Sequence, residues 1–289
     1  MSGIVLVTGA GGFVGRHAVT DLAARGFTVH GVGREVDLLD ASARGALIDG
    51  VRPSHLLHFA WETRHGYFWS APENPAWAEA TLDLVRRFRE GGGERAVLAG
   101  SCAEYDWSPA ALGGGDCLES ATPRRPATAY GQAKLAAFET ASNEAAASGL
   151  SLAWGRLFLL YGPFEGESRL VPSLVRALLA DEPVVLREPT AVRDFLHVAD
   201  GGAAFAALLA SNVEGPVNIA SGSGVAIADV ARMVGADLST VDHTQALPDG
   251  SPTRLVADIS RLRDEVGFTP SHGLHSGLAD TVAWWRANS

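Results

Sequence analysis

A tyrosine and a lysine four residues apart open a helix-like stretch, Tyr130-Gly131-Gln132-Ala133-Lys134. Positions i and i+4 share a helix face, so phenol and ammonium point the same way. A phenol with its ordinary pKa of about 10 is a poor base at neutral pH. A neighbouring cation stabilises the phenolate and brings it into working range. Lys134 is the only lysine in the chain, all other basic side chains being arginine. A bias toward arginine explains most of that, yet the one compact ammonium stands where a phenol needs a cation. Ser101 ends the preceding apolar run, and its hydroxyl can hydrogen-bond a carbonyl or alcohol beside the phenol. Ser101, Tyr130 and Lys134 are therefore the candidate catalytic set, suited to moving a proton on and off an oxygen.

A second group of residues suits a dinucleotide. Thr8-Gly9-Ala10-Gly11-Gly12-Phe13-Val14-Gly15 follows an apolar run and precedes a helical pattern. A pyrophosphate needs bare backbone N–H groups at a helix N-terminus. Gly9 permits the tight turn, Gly12 the close approach, and Gly15 the packing of helix on strand. Phe13 and Val14 lie within the same turn and join the cofactor-binding candidates. The next strand-like run ends Val29-His30-Gly31-Val32-Gly33-Arg34-Glu35. The position where an acid would grip a ribose 2′-hydroxyl is Gly33, followed by Arg34, so NADP(H) is the expected cofactor. Neighbours in an extended segment face opposite ways, so Glu35 is expected to point away from the phosphate, with NAD the alternative if it does not.

These groups need a scaffold that brings them to one edge. Short apolar runs alternate with helical patterns: strands at 4–8, 28–32, 55–60, 95–101 and 151–157, helices at 13–25, 41–49, 75–90 and 127–148. Continuous apolar strands separated by helices predict a parallel sheet covered on both faces. Beyond Tyr161 the punctuation by Gly and Pro is denser. Shorter strands are expected at 184–186 and 217–220, with helices at 170–180, 199–211, 227–234 and 275–286. The expected division is a dinucleotide-binding domain over 1–160 and a smaller α/β substrate lobe over 161–289, with about 190–215 returning to the first.

Composition closes off other classes. The 289 residues are 47% apolar and 19% charged, which excludes a disordered chain. A net charge of −10 argues against affinity for nucleic acid or an anionic membrane. An anionic ligand would have to be met by a few arginines in one place. Cys102 and Cys117 cannot build a disulfide framework, and the first residues lack the basic start of a signal peptide. A cytoplasmic location is expected, with no membrane span and no metal site.

The ordered motifs resemble those of the extended short-chain dehydrogenase/reductases of the NAD-dependent epimerase/dehydratase family, over nearly the whole length. Besides the glycine turn and the Tyr130/Lys134 pair they include Leu56-Leu57-His58-Phe59-Ala60 and Leu159-Leu160-Tyr161-Gly162-Pro163. Arg193-Asp194-Phe195-Leu196-His197-Val198 and Val217-Asn218-Ile219-Ala220-Ser221-Gly222 complete the set. The resemblance implies a Rossmann fold, a nucleotide-sugar substrate and a homodimer. That dimer would pair the helices near 75–90 and 127–148, the latter through the small residues Ala133, Ala136, Ala137 and Ala141. The resemblance also makes Tyr130 the acid/base, Lys134 the partner of the nicotinamide ribose, Ser101 the holder of the reacting oxygen, and Ala60 a cofactor contact. Arg193 matches the arginine that grips the diphosphate, a task suited to its fork of donors.

Departures narrow the reaction. Family dehydratases follow the serine or threonine with Asp-Glu, whereas Cys102-Ala103 stand here. Residues 34–40 resemble reductases of the GDP-fucose synthase type, yet the cysteine and histidine of their double epimerisation are replaced by Ala103 and Arg169. A further family arginine is missing at Leu247-Pro248, for which Arg254 is the substitute, and Trp77 stands where asparagine is usual. Arg169, Arg193 and Arg254 are thus the candidate substrate-binding residues. Trp61, Tyr67, Phe68 and Trp69 could line a sugar pocket or pack the core. The expected activity is NAD(P)H-dependent reduction of a nucleotide-linked keto-sugar. A 4-epimerase that retains NAD is the alternative, and a non-catalytic dinucleotide sensor a more distant one.

Overall fold

The computed structural model describes residues 3–239 and 251–288. The first half alternates as the apolar pattern requires: β1 (Ile4–Thr8), α1 (Gly15–Ala24), β2 (Thr28–Val32), α2 (Ala41–Val51), β3 (His55–His58), α3 (Asn74–Glu90) and β4 (Arg95–Ser101). A 3-10 turn over Cys102–Glu104 and the one-turn α4 (Pro109–Leu112) lead to α5 (Ala129–Ser148) and β5 (Ser151–Leu157). Then come β6 (Leu159–Tyr161), α6 (Leu170–Ala180), β7 (Val192–His197), α7 (Val198–Ala210), β8 (Gly215–Ile219), β9 (Gly224–Ala226), α8 (Ile227–Met233), β10 (Arg254–Leu255) and α9 (Leu274–Asn288).

Six strands form one sheet in the order β2-β1-β3-β4-β5-β8, each neighbouring pair parallel. Its inner strands are apolar on both faces because both are covered. Leu6, Leu56, Leu98 and Trp154 pack under α2, α3 and α5, while Val5, Val7, Leu57 and Val97 pack under α1 and α7. The chain leaves β1 to one side for β2 and returns on the other for β3. That reversal opens a crevice at the strands' carboxyl ends, where ligands of such sheets sit. The second sheet, β10-β7-β6 with β9 antiparallel to β7, is backed by α6, α8 and α9. Between β7 and β9 the chain crosses back, placing α7 against α1 and β8 at the edge of the first sheet.

Most elements begin and end within two residues of the expected bounds, and three differences are informative. Helix α1 starts at Gly15 rather than Phe13, since Phe13 and Val14 remain in the turn. No strand forms at 184–186: Val184 and Leu186 are buried and Val185 is 83% exposed, so the alternation is extended, but no neighbour supplies a ladder. The small residues of α5 are not the free face that pairing with a second subunit would use. Ala133, Ala137 and Ala141 are buried in the chain's own core, and only Ala136 is left exposed. Trp285 is buried in the second lobe's core, and Trp284 meets Phe164 at 4.9 Å, so the pair docks α9.

Candidate active site

The glycine turn lies at the mouth of the crevice. Gly9 has φ +70°, and a Cβ at Gly15 would collide with the Gly9 carbonyl oxygen, so any side chain there would push helix from turn. A Cβ on Gly9 would meet the Ala60 nitrogen at 3.1 Å, which sets Ala60 at the same mouth, after β3. No acceptor among the described residues takes the N–H groups of Phe13 and Val14, which lead into α1. Unclaimed amides at a helix N-terminus, with glycine leaving room for approach, are what a pyrophosphate requires. The turn fits a dinucleotide.

Below the turn a buried network fixes its base. Thr8 Oγ1 lies 2.7 Å from His58 Nδ1, and His58 Nε2 lies 3.0 Å from Thr81 Oγ1. The Thr81 hydroxyl gives its one proton to the Trp77 carbonyl at 2.9 Å. His58 must therefore donate from Nε2 and accept at Nδ1 from Thr8. Burial, with the Lys134 charge nearby, pushes its pKa down to about 3, so it stays neutral.

At the end of β2 the structure corrects the sequence argument. Residues 34–35 form a turn rather than an extended strand, and Glu35 curls back so that Oε1 accepts the Gly33 N–H at 2.5 Å. That bond holds its carboxyl below the usual carboxylate range. A Cβ at Gly33 would lie 2.9 Å from Glu35 Oε2, so the carboxylate stands beside Gly33 and does not face away from it. Arg34 is exposed.

The catalytic candidates converge on the carboxyl edge of β4. Thr128 caps α5 by accepting the Gly131 N–H at 3.0 Å, which sets Tyr130 and Lys134 in successive turns. A Cβ at Gly131 would collide with the Ala103 carbonyl oxygen, so glycine lets the helix start press against the turn after Ser101. Burial raises the pKa of Tyr130, and the neighbouring Ser101 side chain opposes that rise. Lys134 is buried and donates from Nζ to the Ala99 carbonyl at 2.8 Å. Burial pulls it down to about 7, against the charge of Glu104.

Glu104 is a residue the sequence argument missed. Its Oε1 accepts the Ser101 N–H and the Trp154 indole N–H, both at 2.8 Å, and its Oε2 accepts Arg156 Nε at 2.7 Å. The Ser101 side chain in turn accepts the Ala103 N–H at 3.1 Å. Ser-x-x-Glu is the signature of this capping box and was legible in the sequence. The buried carboxylate and guanidinium thus hold the serine from behind.

Aromatic side chains wall the tyrosine. Phe68, Trp69 and Trp61 meet its ring edge-on at 4.9, 5.8 and 6.2 Å. Tyr67 is exposed and donates to Glu73, away from this wall. Arg169 brings its guanidinium 5.3 Å from the Phe68 ring and within electrostatic reach of Tyr130 and Glu165. Its one hydrogen-bond acceptor among the described residues is the Thr63 carbonyl, at 3.4 Å. Glu165 is buried and pushed up to about 8, and it follows Phe164, a bulky residue held at φ +70°. Strain of that kind collects at ligand sites.

The other arginines are differently placed. Arg193 is buried, with its terminal N–H groups directed to Val192, Pro252, Glu188 and Ser251. To receive these terminal N–H groups a diphosphate would have to displace one of their acceptors, Glu188 among them. Arg254 is more exposed and pairs with Asp116 at 2.5 Å. Positions 247 and 248 lie outside the described residues. His197 is buried against Tyr161 and stacks on His272 at 4.2 Å, as a packed histidine would. Among the described residues no cluster of metal ligands occurs, and no helix is long and apolar enough to cross a membrane.

Residues 5–220 match the NAD dependent epimerase/dehydratase family. The chain belongs to that family. Over 98% of its length it is 28% identical to a dTDP-4-dehydro-6-deoxy-D-allose reductase of Streptomyces bikiniensis, covering 96% of that protein. It is 28% identical to a UDP-glucose 4-epimerase of Streptomyces lividans with the same coverage. The UDP-glucose 4-epimerase of Thermus thermophilus, solved with NAD, superposes with a TM-score of 0.85 at 28% identity, covering 99% of this chain and 100% of that one. The expected family and the Rossmann-type fold are both borne out. Relatives of one identity level catalyse different reactions, so the family alone does not choose among them.

Proposed function

We propose that this family member reduces the carbonyl of a nucleotide-linked keto-sugar. The observation that carries the reading is the aromatic wall around Tyr130. A 4-epimerase must return hydride to the opposite face of its sugar, which requires room for the ring to turn over. Trp61, Phe68 and Trp69 pack edge-on against Tyr130, and the crowding beside the phenol supports a single ring orientation. Dehydration has less support still. The turn after Ser101 carries a buried thiol at Cys102, an alanine at 103, and a glutamate committed to Arg156 and Trp154.

A nicotinamide dinucleotide, when bound, supplies the hydride. The Ser101 hydroxyl donates to the substrate carbonyl oxygen, and Tyr130 gives that oxygen its proton as the carbon gains hydride. The Lys134 ammonium stabilises the resulting phenolate until solvent restores the proton. Arg169 stands at the sugar end. The diphosphate charge is assigned to Arg254 and to Arg193, the latter exchanging Glu188 for phosphate oxygens.

The test is a panel of nucleotide-linked 4-keto-hexoses with NADH and NADPH, products identified by mass spectrometry. Stoichiometric oxidation of the dinucleotide with formation of an alcohol is expected. Interconversion of 4-epimers with no net oxidation would replace this reading by the epimerase. Binding without turnover of any sugar would favour the dinucleotide sensor.

For the cofactor, the Glu35 carboxylate supports NAD(H) in place of the NADP(H) expected from Gly33 and Arg34. It can accept from a ribose 2′-hydroxyl, whereas a 2′-phosphate would meet like charge. Glu35→Ala is expected to weaken NADH binding by about ten- to a hundredfold and to leave NADPH binding no weaker. Fluorescence titration of both cofactors measures this. A wild-type protein that already prefers NADPH would return the assignment to Arg34.

A further inference from the structure

Trp61, so far only part of the wall around Tyr130, also faces the lone lysine, and Trp77 stacks behind it. An ammonium has three N–H directions to satisfy. One of those of Lys134 goes to the Ala99 carbonyl at 2.8 Å. The Trp61 ring lies across another, its centroid 3.7 Å from Nζ. No carboxylate among the described residues pairs with Nζ, because Glu104 is committed to Arg156, Trp154 and the Ser101 amide. From β3, His58 is neutral and bonded at both ring nitrogens. From α5 itself Tyr130 presents its ring 5.9 Å away, and after β4 the Cys102 thiol is kept protonated by burial. The indole face is therefore the side-chain partner that touches this charge, with the Glu104 carboxylate acting on it only through its field.

The indole is also held in place. Its Nε1 donates to Asn74 Oδ1 at 2.9 Å, and the buried Asn74 donates in turn to the Phe68 carbonyl at 2.8 Å. Trp77, where the resemblance leads one to expect asparagine, stacks on Trp61 with ring centroids 6.4 Å apart at 29°. Its backbone carbonyl receives the Thr81 hydroxyl, which ties it to the network under the glycine turn.

We infer that Trp61, braced by Trp77 and Asn74, is a positioning residue whose π face holds Lys134 protonated and leaves the third N–H for the bound ligand. A ring quadrupole attracts a cation most strongly where water is excluded, as it is here. Burial pulls the ammonium toward neutral pH, where a cation–π contact shifts the balance toward the charged form. Only the consequence for turnover rests on the function proposed above; the contact can be tested without it.

The sequence makes the test direct. With one lysine in the chain, labelling with ε-13C-lysine yields a single side-chain signal that needs no assignment. In the ligand-free full-length protein, Trp61→Leu is expected to lower the titration midpoint by about one pH unit, a tenfold change in acid dissociation. Trp61→Phe keeps a smaller π face and should lower it less, and the alkaline limb of kcat/KM should move down with the midpoint. A midpoint that stays or rises in folded Trp61→Leu would overturn the inference. If Trp61→Leu does not fold, Trp61→Phe and Trp77→Leu carry the test, and an unmoved midpoint in both overturns it equally. A moved midpoint with an unmoved alkaline limb, in an enzyme that requires Tyr130, would remove the positioning role. A moved midpoint in a protein whose Tyr130→Phe variant stays active would leave the contact standing and sink the catalytic reading.

Discussion

Turnover of Tyr130→Phe is expected to fall by roughly 100- to 10,000-fold, the range for losing a positioned general acid. The substitution removes one hydroxyl and retains the ring that Phe68, Trp69 and Trp61 pack against, so the fold should persist. Dinucleotide binding should persist as well, because the glycine turn and Ala60 meet on the other side of the crevice. The informative measurement is single-turnover kinetics beside a cofactor titration on the same preparation. Loss in the chemical step with an unchanged dissociation constant is the expected pair of results. Near-normal turnover in a folded variant would take the phenol out of the mechanism and leave Ser101 or Glu165 as the groups to examine.

The second large effect is on stability. Glu104 and Arg156 are both fully buried and joined at 2.7 Å. Replacing one partner of such a pair strands the other charge in the core, at a cost of about 3–5 kcal/mol. Glu104→Gln also aims an amide N–H₂ at donors on Ser101, Trp154 or Arg156, whichever oxygen it replaces. A fall in Tm of roughly 5–10 °C is expected for a chain of this size. Arg156→Met added to Glu104→Gln should recover part of that stability, since no unpaired charge remains. Activity should not recover, since Ser101 has lost the carboxylate that fixes its amide. A Glu104→Gln protein melting within about 1 °C of wild type would show that the pair is not buried in solution. Recovery of stability and activity together would show that Glu104 supports the fold and does not position the serine.

The grouping of the candidate site was largely legible in residue order. Local spacing carried it: i, i+4 on a helix for Tyr130 and Lys134, glycines three apart after a strand, a serine closing an apolar run. Each rule acts within one turn or one strand, where geometry follows from backbone periodicity, so residue order alone was enough. The alternation of apolar runs and helical patterns likewise determined the parallel sheet. What residue order could not decide depends on groups far apart in the chain. Glu104 meets Arg156 across 52 positions, and Lys134 meets Trp61 from a different layer of the fold. Glu35 shows the same limit at short range. Its exposed side chain curls back onto the Gly33 amide because the chain leaves β2 in a turn, where strand alternation no longer applies. Residues 184–186 show it for secondary structure: the alternation was correct, but a strand needs a neighbour's hydrogen bonds, and the surrounding fold supplies none. Sequence determined which groups could react and the scaffold that presents them. Tertiary structure alone decided which charges are paired, which are left for a ligand, and what surrounds the one lysine, because burial and partnership depend on contacts between distant segments.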